Sequence, residues 1–340
     1  MRKHKIVMGT PASAGAPHGY GIITRGIREA LKRHAAESVE MLPPLTTEYG
    51  WDWRLVISQV APWFIGDGRH DDIIWHTMLE IEPFPDFWGR VLNRVRAVWA
   101  PSEWVREQLR YVGVRRPILV APYGVDHDVF TPVDRSGRDG PFTVLTWGRG
   151  LVSRKHLLDA VMAFAKAGLD DARLVVKVNA DDETVKNGAA FTYNGRPIDG
   201  VEVINRNLPR RAMARLLHEA DVLLYLSGGE GLGLMPLEAM ATALPVVMMA
   251  VTGMGEYADT DTVYVVGGRR EPARTYINRF GYHCTWWRPD VDEVADVLRH
   301  IYHHRDEAIA KGWAGHQRSL LFTWERMASE FVGFLDTLEV

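Results

Sequence analysis

Twice along this chain, short apolar runs alternate with stretches of helical periodicity, and nothing else in the sequence restricts its fold so strongly. In the first series the runs 6–9, 53–59, 72–78, 97–102 and 117–124 read as strands, with helices expected over 23–34 and 103–113. A stretch dense in Pro, Gly, Asp and Ser, TPVDRSGRDGP at 131–141, then interrupts the rhythm and reads as a boundary. The second series has strands at 142–148, 173–179, 201–205, 221–228, 245–250 and 262–268. Its helices are expected at 156–168, after Pro209, and at 234–243. A broken helix over 291–312 and a last one over 324–338 end the chain, while 180–200 and 267–284 carry no clear period. Strand, helix, strand at this spacing argues for parallel sheets joined by crossover helices. An α/β chain of two successive doubly wound units with a cleft between them is the simplest outcome.

Composition removes whole classes of function. At 46% hydrophobic and 24% charged residues the chain of 340 has globular averages, neither disordered nor fibrous. Forty basic against forty-three acidic residues give a net charge of −3, which disfavours a protein living on duplex phosphates. The single Cys284 excludes an internal disulfide and a cysteine-based zinc cage. No apolar run approaches the ~18 residues of a membrane span, and MRKHKIVMGTP leads straight into a strand. A soluble, cytoplasmic protein without stable membrane insertion is expected.

Four segments carry chemistry. In SGGEGLGLMPLEAMATALPVV (227–247) a buried strand ends in a glycine-rich turn and a helix opens. Glycines such as Gly231 and Gly233 admit a ligand close to the backbone, and the exposed N–H groups of a helix start suit a phosphate. Glu230 in the turn and Glu238 in the helix are poor partners for phosphate but good acceptors for sugar and ribose hydroxyls. The plainer reading makes Glu230 a helix cap and Glu238 a solvated side chain. In LTWGRGLVSRKHLLDAVMAF (145–164), Arg149 and Lys155 follow a strand and suit a diphosphate gaining charge as a bond breaks; Arg154 beside them favours an ordinary charged surface loop. Around Gly15, Gly19 and Gly21 a loop opens the first helix, but its spacing is not that of a dinucleotide fingerprint. His76 follows an apolar strand and is expected at its carboxyl end, facing the cleft, with Glu80 and Glu82 nearby.

Absent motifs matter too. Metalloprotease, serine-hydrolase and P-loop signatures do not occur. Asp71-Asp72 and Asp181-Asp182 do not form a metal clamp after a strand, and His303-His304 reads as solvated, so no metal is expected.

The ordered set APYGVDHDVFTP (121–132), VLTWGR…K (144–155), EGLGLMPLEAMA (230–241) and FTWERMASEF (322–331) resembles the retaining glycosyltransferases of family 4, which have the GT-B fold. That resemblance implies two Rossmann-like domains facing each other across a cleft. These are an acceptor domain at 1–135, a donor domain at 136–318 and a C-terminal helix at 319–340 crossing back to the first. It implies a metal-independent hexosyltransferase without cofactor, taking a UDP-, GDP- or ADP-sugar as donor. Arg149 and Lys155 would bind the diphosphate, Glu230 the transferred sugar, Glu238 the ribose, and His76 would lie beside the sugar. The loop around Gly19 and Gly21 would close on phosphate, the backbone of Gly231 and Leu232 would approach it, and the base would sit near Asn205–Leu208. A saccharide, a lipid-linked sugar, a small metabolite or a modified nucleobase all remain open as acceptor. A nucleotide-sugar epimerase of the same fold and a non-catalytic nucleotide-sugar-binding protein are the alternatives. The chain departs from the family pattern in having His156 where a glycine usually follows the lysine, and Ala243-Leu244 in ATALPVV where Ala243 replaces a glycine.

Overall fold

The computed structural model describes residues 4–9, 19–34, 36–41, 52–57, 68–149, 154–179, 191–193 and 196–338. The chain forms two compact units, Met1–Gly124 with Phe322–Val340, and Val125–Leu321. No helix among the described residues is long and apolar enough to cross a membrane.

The first unit contains β1 (His4–Gly9), α1 (Gly19–His34), β2 (Ala36–Met41), β3 (Trp53–Ile57), β4 (His70–His76), α2 (Phe87–Leu92), β5 (Val95–Ala100), α3 (Glu103–Tyr111) and β6 (Ile118–Val120). Its sheet is parallel with strand order β2-β1-β3-β4-β5-β6. The central strands are buried, as a sheet covered on both faces requires. Helix α3 starts at Ser102, whose hydroxyl accepts from Val105 N at 3.2 Å. The loop expected to reach Gly21 ends earlier, because α1 begins at Gly19 and places Gly19 and Gly21 in its first turn. The buried stripe Ile23, Ile27, Ala30 and Leu31 offsets the ~1 kcal/mol that each glycine costs a helix. Gly15 lies outside the described residues.

The second unit contains β7 (Phe142–Trp147), α4 (Leu157–Ala167), β8 (Ala172–Val178), β9 (Thr192–Tyr193), β10 (Arg196–Pro197), β11 (Val201–Asn205), α5 (Arg210–Glu219), β12 (Val222–Tyr225), α6 (Leu234–Ala241), β13 (Val246–Met248) and β14 (Tyr264–Val265). After it come β15 (Gly268–Pro272), α7 (Arg274–Phe280), β16 (Thr285–Pro289), α8 (Val291–His303) and α9 (Arg305–Ser319). The main sheet is parallel with order β11-β8-β7-β12-β13-β14. From β7 the chain winds outward to β8 and β11, then returns to β12 and winds the other way. The crevice outside the carboxyl ends of β7 and β12 is therefore the topological switch point, where such sheets bind ligands. β15 and β16 form a separate antiparallel hairpin that leaves the sheet after β14.

Residues 131–141 are tied into this second unit by two arginines. Arg135 donates to the carbonyls of Leu217 (2.8 Å), Ala220 (3.0 Å) and Thr242 (2.8 Å). Arg138 donates to those of His218 (3.1 Å), Ala220 (3.0 Å) and Glu219. Together they satisfy the last carbonyls of α5, which no intrahelical N–H can reach.

The last helix, α10 (Trp324–Leu338), belongs to the first unit. It packs on α1 so closely that a Cβ on Gly26 would lie 2.2 Å from the Trp324 ring. Phe331 meets the Trp99 ring at 5.1 Å between centroids, and Asp336 pairs with His4 at 3.1 Å.

Candidate active site

Strand β12 is an apolar run that ends at the switch point, and the chain beyond it turns through Ser227-Gly228-Gly229-Glu230 before α6. Two glycines make that turn possible. A Cβ on Gly228 would stand 2.0 Å from the Trp287 carbonyl oxygen, and Gly233, the residue before α6, has φ +89°. From the other side of the crevice, residues 154–156 lead into α4. The two segments are joined directly, since Gly228 N donates to Arg154 O at 2.7 Å.

Glu230 is the centre of this junction. It is 8% exposed, and its Oε1 accepts from Ser227 Oγ (2.6 Å), Tyr225 Oη (2.8 Å), Arg154 Nη1 (2.6 Å) and Lys155 Nζ. Burial alone would raise its pKa. The charges of Arg154 and Lys155, with the hydrogen bonds from Lys155 and Ser227, outweigh burial and hold it at about 2. Lys155 also bonds Tyr225 Oη at 2.7 Å and lies 5.0 Å from that ring's centre. Burial, reinforced by the Glu230 charge, raises the Tyr225 hydroxyl well above its ordinary range, so it serves as a donor. Glu230 does not cap α6: its own N–H donates to Thr252 Oγ1 at 2.9 Å and its carbonyl accepts from Gly253 N.

Glu238 is also not solvated. It is 3% exposed on α6 and accepts from Arg210 Nη1 at 2.8 Å. Arg210, at the start of α5, lies 4.8 Å over the Phe130 ring. Here burial wins: with Asp126 adding repulsion, it raises the Glu238 pKa despite the arginine.

The remaining expected residues are spread along the same sheet edge. Arg149 is exposed just past β7, Asn205 is the last residue of β11 and half-buried, and Gly231 and Leu232 are buried. Sequence alone passed over Arg154, which was read as ordinary surface charge, although its partners stand more than seventy positions away. Lys177, also passed over, is buried at the carboxyl end of β8, its Nζ donating to Val178 O at 2.6 Å. Burial, with Arg206 nearby, lowers its pKa to about 8.

The two departures from the family pattern have a common backbone explanation. His156 has φ +50° and Ala243 φ +56°, the left-handed region in which glycine is at ease. His156 is held there by its ring, with Nδ1 2.8 Å from Asp159 Oδ2 and Nε2 2.9 Å from the Trp287 carbonyl. Asp159 in turn accepts from Arg288 at 2.9 Å, so the 154–156 segment is fastened to the β15–β16 hairpin. Ala243 has no polar side chain to be held in this way.

In the first unit His76 ends β4, as expected, and its ring is fully buried. It is 0% exposed, with Nδ1 2.9 Å from Trp99 O and Nε2 2.6 Å from Tyr123 Oη. Burial lowers its pKa to about 4, opposed only by the Trp99 hydrogen bond, so the ring is neutral near pH 7. The carbonyl partner assigns the hydrogen to Nδ1, which leaves Nε2 to accept from Tyr123. No group of three His, Cys, Asp or Glu fit to hold a metal occurs among the described residues.

Residues 102–331 match the family described as "Family 4 Glycosyltransferase in conflict systems", and this span includes every residue of the Glu230 and Glu238 clusters. The chain belongs to that glycosyltransferase family. Among curated relatives of this glycosyltransferase, a GDP-mannose-dependent α-(1-6)-phosphatidylinositol dimannoside mannosyltransferase of Mycobacterium tuberculosis is 27% identical over 338 residues. The alignment covers 93% of this chain and 80% of the relative. An MMP α-(1→4)-mannosyltransferase of Mycolicibacterium hassiacum is 27% identical over 214 residues, 63% of this chain and 46% of that one. The fold is that of solved glycosyltransferase structures. Sucrose-phosphate synthase from Thermosynechococcus elongatus superposes with a TM-score of 0.73 at 16% identity, covering 98% of this chain and 99% of that chain. Anabaena HepE in complex with UDP and glucose gives 0.67 at 13%, covering 98% and 100%.

Proposed function

We propose that this glycosyltransferase moves a hexose from a nucleoside-diphosphate sugar to an acceptor hydroxyl, with retention at the anomeric carbon and without a metal. The observation that carries the reading is the cluster of Glu230, Lys155 and Arg154 at the switch point of the second sheet. A leaving diphosphate gains negative charge, and Lys155, Arg149 and the N–H groups opening α6 are the groups to receive it. Glu230, ionised across the whole neutral range, accepts hydroxyl hydrogens of the transferred sugar and opposes positive charge building at its anomeric carbon. Glu238 takes the ribose hydroxyls, with the base toward Asn205. A diphosphate oxygen can remove the acceptor proton, so the scheme needs no protein nucleophile. His76, with both nitrogens engaged, shapes the end of β4 and transfers no proton.

The mannosyltransferase relatives make GDP-mannose the first donor to test. Thermal shift and donor hydrolysis with UDP-, GDP- and ADP-sugars, each with and without chelator, test the reading. Stabilisation and slow hydrolysis with one donor, unchanged by chelator, is expected. Interconversion of the donor without an acceptor would point to an epimerase instead. Binding without any turnover, in the presence of candidate acceptors, would point to a non-catalytic binding protein.

A further inference from the structure

Two cations converge on one carboxylate at the switch point. Lys155 and Arg154 both contact Glu230 Oε1, so the three groups together carry a surplus of one positive charge. Among the described residues, the other titratable groups facing Glu230 are the hydroxyls of Tyr225 and Tyr257, both uncharged near neutral pH. The two cations differ in how they are held. The Arg154 guanidinium is anchored to the turn itself, to Ser227 Oγ at 3.1 Å and to the Gly229 carbonyl, while its own carbonyl receives Gly228 N. Lys155 reaches Glu230 through a single flexible ammonium that also touches Tyr225.

We propose that Arg154 is a positioning residue: it compensates the charge of Glu230 in place, leaving the Lys155 ammonium available to a nucleoside diphosphate. The inference rests on the donor site proposed above. With Arg154 present, Lys155 can turn toward a phosphate without leaving a buried, uncompensated carboxylate behind. Without Arg154, Lys155 is, among the described residues, the cation left in contact with that carboxylate and is held by it. All three contacts converge on one nitrogen, Nη1, so the same end of the Arg154 side chain that meets the carboxylate is also held by the turn's carbonyl and hydroxyl.

A double-mutant cycle on the full chain tests this, with binding of UDP, GDP and ADP followed by calorimetry between pH 5 and 8. Arg154→Gln is expected to weaken binding of the preferred diphosphate about tenfold or more. It should also add a pH dependence on the acid side, as Glu230 loses the neighbour that keeps it ionised. In a Glu230→Gln background the same Arg154→Gln change is expected to cost less than about threefold, since no carboxylate is left to compensate. Arg154→Lys should restore most of the affinity and the flat pH profile. Equal losses from Arg154→Gln in both backgrounds would overturn the proposal, because Arg154 would then bind phosphate itself or merely brace the turn. Wild-type affinity in Arg154→Gln would overturn it as well. Should Arg154→Gln alone not fold, the double variant compared with Glu230→Gln decides: a tenfold loss there sinks the proposal, and no loss supports it. A wild-type chain that binds none of the three diphosphates would instead refute the donor site itself.

Discussion

Glu230 and Glu238 stand on either side of the opening of α6, both almost wholly buried, and their surroundings move them in opposite directions. Glu230, in the turn, has two cations and two hydroxyls on one oxygen, and its pKa falls to about 2. Glu238, one turn into the helix, has a single arginine and a repelling Asp126, and its pKa rises. Burial pushes both upward. What differs is the number of partners gathered around each, and this sets which carboxylate is held charged most firmly.

That contrast can be broken from either side. The largest effect is expected from Lys155→Ala, which should lower sugar transfer more than tenfold while circular dichroism and the melting temperature show a folded protein. Next is Arg210→Met, which strips Glu238 of its cation and should cost about 2 kcal/mol of stability at pH 8. Urea unfolding should show that loss shrinking toward pH 4, because a protonated Glu238 no longer needs the arginine. A loss independent of pH would mean that Arg210 acts through Phe130 rather than through Glu238.

The pH dependence of the two acids sharpens the comparison further. Glu230, depressed from 4.5, stabilises the fold fully above pH 4.5, and that contribution disappears as pH falls through about 2. Glu238, raised from 4.5, favours the fold below that value and loses its contribution as pH climbs through its shifted pKa. Glu230→Gln should therefore flatten the acid limb of stability, and Glu238→Gln should flatten a slope on the neutral side. Unfolding midpoints across pH 2–8 read both, and slopes of the same sign would contradict the assignment.

The smallest effect is expected where neither glutamate is touched. Ala243→Gly, just beyond the end of α6, removes a left-handed backbone strain and should stabilise the protein by about 1 kcal/mol with transfer unchanged. A drop in transfer would show that α6 passes small shifts on to Glu238.

How much of this could be read in the sequence depended on how local each signal was. β11 and α10 occupy the residues that periodicity assigned, because three β-branched residues within five positions and an amphipathic helix are visible locally. The turn at 227–233 with Glu230, and Glu238 in the helix after it, were legible for the same reason. β2, AESVEM, escaped because an edge strand with alternating charge lacks an apolar run, and α2 is too short to show a period. The β15–β16 hairpin with α7 between its strands was likewise unreadable. Most of what was missed in the site is contact across the sheet. Arg154 to Glu230 and Arg210 to Glu238 join residues that only the order β7-β12 and the packing of α5 bring together. The glycines 19 and 21 misled in the other direction, since their local preference for loop yields to the packing of α1 on α10.

The placement of α10 has a consequence for how the protein is made. The ribosome delivers the segment up to Gly124 before the whole of the second unit, and only after both the helix that covers α1 and seats Phe331 against Trp99. The second unit is continuous in sequence and can fold as it emerges. The first must wait, its apolar face bare, until residues 322–338 have followed. Synthesis stalled before residue 322 would thus yield one finished half and one sticky half, a natural client for a chaperone.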